Sequence, residues 1–492
     1  MKKLVLATAL SSMCFMACEK EVATSTDEAL TAELAGKKSN DVVLANHSVT
    51  PNFLKLKPGF KNLDVYTLMS SEDVLEQSPD FVYGSMADGA GLIKNQDGTF
   101  TLINNIEADY SIARITLDNT FKPVHGEYIL NAAATASTAQ CSGSLNMPET
   151  HGFGPIYFSG GEWGGASKGV FAVDPFKDAS QASSATMLPS MGQWSTENAV
   201  AMHKDAFPGQ TVVLIGDDTS DNAIPSGQLA MYVGAQGDLM GGNLYGLKVT
   251  NSGINYEMDM VEGQTYDVQF VEYEERTLDE LEAESRAKGI MGFSRVEDID
   301  WRKGSDANKR EFFFAVTGRK GNALLGKGTF YGRIYHVVLD ANNPLGGTIT
   351  CVLDGDKLDG KAKEFHSPDN VVVTENYVYI QEDPNGYPDT PEKSHYAQLY
   401  EYNINSKNLK TVLECDQDLA ASLGYGSTNN AWEITGMIDI SEELAIDRTF
   451  LLITQNHGWE PADGSSFTDP LANPTPASDE GSMLYVVKGL KR

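Results

Sequence analysis

Six times along this chain, an apolar strand-like run closes on an acid or another polar ligand-type residue, crosses a polar loop and resumes as a second strand-like run. The six are FVYGSMAD…GTFTLINN, PIYFSGGE…GVFAVD, TVVLIGDD…QLAMYV, EFFFAVTG…GRIYHVVLD, NYVYIQED…AQLYEYNI and FLLITQNH…SMLYVVKG. In four of them a preceding strand-like segment carries its own acid: Glu197 in STENAVAM, Glu297 in SRVEDIDW, Asp369 in SPDNVVVT and Glu433 in AWEITGMIDI. The last residue of one strand and the first of its antiparallel neighbour share an edge. Repeated around an axis, that pattern gathers carboxylates at one mouth. Such crowding needs bound cations to offset it.

The pairs begin near 81, 155, 211, 311, 376 and 450, with Gly, Asp and Asn turns between them. That irregular period predicts an all-β fold, a six-bladed β-propeller with decorated loops spanning residues 51–492. Two packed β-sandwiches are the competing arrangement, since apolar runs alone do not separate the two. One inserted helix is expected at TLDELEAESRAKG (277–289), with Thr277 and Glu280 as a capping box and Gly289 closing it.

Lys and Arg number 37 against 68 Asp and Glu, a net charge of −31. This excludes nucleic acid as a partner, because its binding demands a basic face. It is compatible with divalent cations, although acidity also serves solubility. The start, MKKLVLATALSSMCFMAC, reads as a signal peptide ending at a lipidated Cys18. Residues 1–18 would be this signal and 19–50 a flexible tether. No other segment has the roughly 18 apolar residues of a membrane span. The expectation is a monomeric, extracytoplasmic lipoprotein of a bacterial outer membrane or cell surface, held to the membrane by lipid alone.

Apart from the export region, Cys141, Cys351 and Cys415 remain, an odd number for an oxidising compartment. Cys351, in the apolar TITCVL, reads as a buried small hydrophobe, and Cys415 at a strand end is open. Cys141 lies in the Gly/Ser-rich QCSGSLNMPETHGFG, where metal coordination would protect it and a reduced loop thiol is the alternative.

Five elements in order carry a family resemblance. They are Gln140-Cys141-Ser142-Gly143-Ser144 followed by Ser159-Gly160-Gly161-Glu162-Trp163, then Gly192-Gln193-Trp194-Ser195-Thr196-Glu197-Asn198, Arg295-Val296-Glu297-Asp298, Ser367-Pro368-Asp369-Asn370, and Trp432-Glu433-Ile434-Thr435-Gly436 with Gln455-Asn456-His457. Over roughly residues 80–490 the chain resembles the PhoX-type alkaline phosphatases, calcium-dependent six-bladed propellers with a ferric pair. The resemblance implies a thiolate iron ligand at Cys141 and carboxylate ligands to iron or calcium from Glu197, Glu297 and Glu433. It implies calcium ligands at Glu162 and Asp369, a phosphate clamp at Arg295, and substrate contacts from Asn456 and His457. The cofactors would be calcium and iron, and the substrates small phosphate esters. Phosphate-ester hydrolysis suits such a site, because cations neutralise phosphoryl oxygens and guanidinium adds bidentate donors.

The chain departs from the family pattern where Gly161-Glu162-Trp163 stands for Cys-Glu-Glu, at Gln193 and Thr196, and in lacking a twin-arginine signal. Each residue also has a plainer reading. The strand-start acids would bind backbone amides, Arg295 would pair with Glu297 across the pleat, and His457 would be a structural hydrogen-bonder. Asp217-Asp218 and Glu382-Asp383 sit in loops whose Asp, Asn and Gly content is turn chemistry as readily as calcium chemistry. No P-loop, Gly-x-Ser-x-Gly elbow or His-Glu-x-x-His occurs. A calcium-dependent propeller lactonase or esterase, and a non-catalytic surface-binding propeller, are the other functions open to such a chain.

Overall fold

Val, Ile, Phe and Tyr alternate with small residues between Gly and Asp turns, and these runs form twenty-five strands among the described residues of the computed structural model. The described residues are 42–219, 221–384, 394–429 and 431–492. The expected signal, Cys18 and the tether up to residue 41 lie outside them. Residues 42–50 lie extended along the strand body: the Val43 N–H donates to Thr120 O at 3.1 Å and the His47 N–H to Thr67 O at 2.9 Å.

The fold is all-β and propeller-like. Six strands face inward: Ala87–Lys94, Thr138–Asn146, Thr196–Ala201, Val296–Trp301, Pro368–Val373 and Glu433–Asp439. Each packs on the next in chain order, and the sixth packs on the first. Outward from them the strands pair antiparallel in sequence order. The terminal strands interlock, since Asp64–Ser70 near the start pairs with Gly481–Lys488 near the end.

The expected blades do not appear as six sheets. Among the described residues there are five, of four, three, nine, five and four strands. The nine-stranded sheet arises because Thr265–Glu272 pairs with Asn243–Val249 on one side and Asn343–Asp354 on the other, joining two groups that otherwise stand apart.

The first repeat also differs from its reading. Phe81–Met86 is apolar and largely buried but not a strand; pairing begins at Ala87, so Asp88 opens a strand and does not close one. The helix forms at Leu278–Lys288, with left-handed Gly289 closing it. Its start is not the expected capping box. The Thr277 hydroxyl donates to the Glu280 carboxylate, and no backbone N–H donates to the Thr277 side chain. Four further α-helices of four to six residues occur among the described residues, at Ala132–Thr135, Pro148–His151, Gln417–Ser422 and Ser441–Leu444.

One device recurs in all six inner strands. The ladder slips at Asp88-Gly89, Cys141-Ser142, Glu197-Asn198, Glu297-Asp298, Asp369-Asn370 and Gly436-Met437. A β-bulge takes residues out of the regular alternation and re-aims their side chains. Close packing at the bulges is tight enough to exclude a methyl. A Cβ on Gly89 would stand 2.2 Å from Gly143 N and 2.6 Å from Ser142 C, both backbone. Gly89→Ala is therefore expected to separate the first two inner strands at a cost of about 3 kcal/mol, read as a lower midpoint in chemical denaturation.

Candidate metal centre

The bulges place ligand-type side chains together. Asp88, Cys141, Glu197, Glu297 and Asp369 are all buried, and Glu433, three residues before the sixth bulge, joins them. A second tier comes from the residues at or just past the outer ends of the adjoining strands: Glu107, Glu162, Asp218, Asp383 and His457. Two groups offer ligand atoms within 4.8 Å of one another, Glu107 with Cys141 and Glu162, and Glu197 with Glu297 and Asp369.

In the first group the Cys141 thiol lies 3.1 Å from Glu162 Oε2. The Trp163 indole N–H donates to Glu107 Oε1 at 2.6 Å and the Gln455 amide to Glu107 Oε2 at 2.9 Å, so that carboxylate is aimed from both sides. In the second group Glu197 Oε1 accepts the Ser142 N–H at 3.1 Å. The Glu433 carboxylate has no hydrogen bond among the described residues; burial, and then the charges of Asp383, Asp369, Asp88 and Glu107, push its carboxyl well up.

Arg295 is the guanidinium of the site. Its Nε stands 2.9 Å from Asp218 Oδ1, and Nη2 lies 3.0 Å from Asp218 Oδ2 and 3.0 Å from Glu297 Oε1. The pairing with Glu297 expected as the plainer reading is present, and Asp218 joins it. The backbone at Arg295 has φ +74°, a left-handed conformation that costs a residue with a Cβ about 1–2 kcal/mol. The His457 Nδ1–H donates to Glu480 Oε2 at 2.9 Å; burial lowers the imidazole pKa, but that carboxylate outweighs it and raises the value. Asn456 Nδ2 is buried without a partner among the described residues.

Charge decides what the site can hold. Burial first, then mutual repulsion, pushes the carboxyls of Asp88, Glu162 and Glu197 well above the usual range. Glu297 and Asp369 rise in the same way although Arg295 pulls both back. Glu107 is raised by burial against its two donors. The Cys141 thiol is pushed up by burial and by four surrounding carboxylates. Against this anionic set stand the Arg295 guanidinium and the His457 imidazole. The donors fit metal cations: a sulfur with carboxylates in one group, carboxylates alone in the other.

Apart from Cys18, which lies outside the described residues, the site residues expected from the sequence stand at or beside this mouth. Asp88, Glu107, Asp218 and Asp383 belong to it too, and of these Glu107 was not singled out. Asp88 was read as an acid closing a strand, and Asp218 and Asp383 stood in loops whose composition matched turn chemistry as readily as calcium chemistry. Glu107 follows LINNI, the end of a returning run, and only the pairing of that run with the strand at Ala87 brings it to the site. Asp298, adjacent to Glu297, serves the scaffold: it accepts from the Asn198 amide and from the Val371 N–H at 3.0 Å, tying three inner strands together. Cys351 and Cys415 are fully buried free thiols in strands, away from this set.

The sequence profile of the family described as Alkaline phosphatase PhoX matches residues 168–446. That span contains Glu197, Arg295, Glu297, Asp369 and Glu433, while Cys141, Glu162, Asn456 and His457 fall outside it. No curated protein matches the chain. Among solved structures, Pseudomonas fluorescens PhoX in complex with vanadate, a transition state analogue, superposes with a TM-score of 0.62 at 13% identity, over 91% of this chain and 97% of that one. The PQQ-bound aldose sugar dehydrogenase of Streptomyces coelicolor matches at a TM-score of 0.34 and 11% identity, over 87% of this chain and 99% of that one. The profile match covers more than half of the 492 residues, and this chain belongs to the PhoX alkaline phosphatase family.

Proposed function

We propose that this phosphatase hydrolyses small phosphate monoesters at calcium and iron ions held in the mouth of a six-bladed propeller, with the nine-stranded sheet counting as two blades. The observation that supports it is the convergence of a thiol-bearing group, an all-carboxylate group and one strained guanidinium in a chain of this family. Glu107, Cys141 and Glu162 suit a transition metal, because calcium alone would not recruit sulfur. Glu197, Glu297 and Asp369 suit calcium, and Glu433 would complete either set.

When bound, the cations would draw charge from the phosphoryl oxygens and acidify the attacking water. The chain's own residues orient the substrate. Arg295 offers a fork of N–H donors to two phosphoryl oxygens. The Asn456 amide donates to a third. Glu480 holds His457 through Nδ1, leaving Nε2 to hand a proton to the departing oxygen. Around this core the reading includes a monomer exported from the cytoplasm and anchored by lipid on Cys18.

The test is hydrolysis by the purified protein of p-nitrophenyl phosphate, a lactone and a carboxylic ester in parallel. Hydrolysis of the phosphate ester alone is expected. Turnover of the lactone or carboxylic ester in its place, or of none after metal supplementation, would overturn the proposal. The metal assignment has a separate expected outcome: Cys141→Ser loses bound iron and keeps calcium in elemental analysis, because a serine hydroxyl does not replace a thiolate as a ligand.

A further inference from the structure

Arg295 is held in its left-handed conformation by neighbours, and one of them is a buried acid remote from the mouth. Glu257, wholly buried, lies in a short turn between two outer strands. Its Oε1 accepts the Ser294 N–H at 2.9 Å and the Thr329 N–H at 3.1 Å. The Ser294 carbonyl accepts the Gly318 N–H at 2.9 Å and the Arg295 carbonyl the Thr317 N–H at 3.1 Å. The Ser294–Arg295 backbone is thus fixed on both sides, and Glu257 supplies the acceptor on the side away from the sheet. Glu257 is itself clamped: Arg333 donates to its main-chain carbonyl at 2.6 Å and to Asp354 Oδ2 at 2.7 Å. Gly328 leaves the room, since a Cβ there would stand 2.1 Å from Ser294 Oγ.

We propose that Glu257 is a positioning residue for phosphate recognition: its carboxylate fixes the strained turn that aims Arg295 at the substrate. This rests on the phosphatase reading of Arg295. The mechanism is geometric, because a small misplacement of a clamping guanidinium costs far more than the hydrogen bond that positions it.

The test is a double-mutant cycle on the metal-loaded protein, with p-nitrophenyl phosphate as substrate and inorganic phosphate as competitive inhibitor. Glu257→Asp, too short to reach Ser294, is expected to lower kcat/KM and weaken phosphate inhibition about tenfold, while Glu257→Gln, which keeps an acceptor oxygen, stays within about threefold of wild type. In an Arg295→Ala background, Glu257→Asp is expected to change neither by more than about twofold. An equal loss in both backgrounds, or no loss in either, would overturn the inference. Amide hydrogen exchange needs no activity: the 294–297 peptide should exchange faster in Glu257→Asp than in wild type, and equal protection would overturn the inference on its own. A wild type that binds and hydrolyses no phosphate ester would instead count against the phosphatase reading.

Discussion

Stripping the cations with a chelator is expected to abolish phosphate-ester hydrolysis and leave a protein that grows less stable as pH rises from about 5 to 7. Three ligand atoms within 4.8 Å of one another occur twice in the mouth. Two unit charges 4 Å apart repel by about 4 kcal/mol at an effective dielectric near 20. A few such pairs rival the roughly 5–15 kcal/mol that hold a domain folded. The metal-free protein keeps protons on these carboxyls, because burial first and mutual repulsion second raise them well above their ordinary values. The sign follows from proton counting. A carboxyl whose folded pKa exceeds its unfolded one binds more protons in the folded state, so stability is full below the unfolded value and is lost as pH rises through the folded one. Asp217 and Asp298, both pushed to about 7 by burial, place that loss between about pH 4 and 7, and the acids of the mouth, raised in the same direction, add to it. Thermal melts of chelated protein should therefore fall by several degrees between pH 5 and 7, while metal-loaded protein changes less. A chelated protein that is active, or whose melting temperature rises over that interval, would contradict the role given to the cations.

Replacing Arg295 by alanine in the metal-loaded enzyme is expected to lower kcat/KM for p-nitrophenyl phosphate by about a hundred- to a thousandfold, the loss of roughly 3–4 kcal/mol of transition-state stabilisation. The guanidinium has its donors within 3.0 Å of Asp218 and Glu297, so it is pre-aimed and loses little freedom when a phosphoryl group shares those donors. Arg295→Lys should recover little, because an ammonium is a point charge without the planar fork. Activity within about threefold of wild type in Arg295→Ala would reduce Arg295 to a counter-ion for Asp218 and Glu297. The pair of outcomes is separable from a folding defect by comparing melting temperatures of the two variants.

Much of the mouth was readable because its acids stand beside apolar β-branched runs, where an unpaired carboxylate has no structural reason to be. Glu197, Glu297, Asp369 and Glu433 each open a strand whose boundaries fall within two residues of the quoted segment. The bulges were not readable. A slip in register leaves no mark in composition, yet it turns Asp88, Cys141, Glu197, Glu297 and Asp369 inward. Asp88 was placed at the wrong end of its strand because Phe81–Met86 is buried by tertiary packing without pairing, and an apolar run does not distinguish the two. The joining of two blades by Thr265–Glu272 is likewise a long-range pairing, with partners at Asn243–Val249 and Asn343–Asp354. Glu257 belongs to the same class: nothing in INYEMDM marks an acid that holds a turn 37 residues later.

Anomalous diffraction from crystals of the active, unchelated protein tests the account most directly. Peaks are predicted at both ligand groups, Glu107 with Cys141 and Glu162, and Glu197 with Glu297 and Asp369, with an iron-edge signal at the one bearing sulfur. Active crystals with no anomalous density at either group would contradict it.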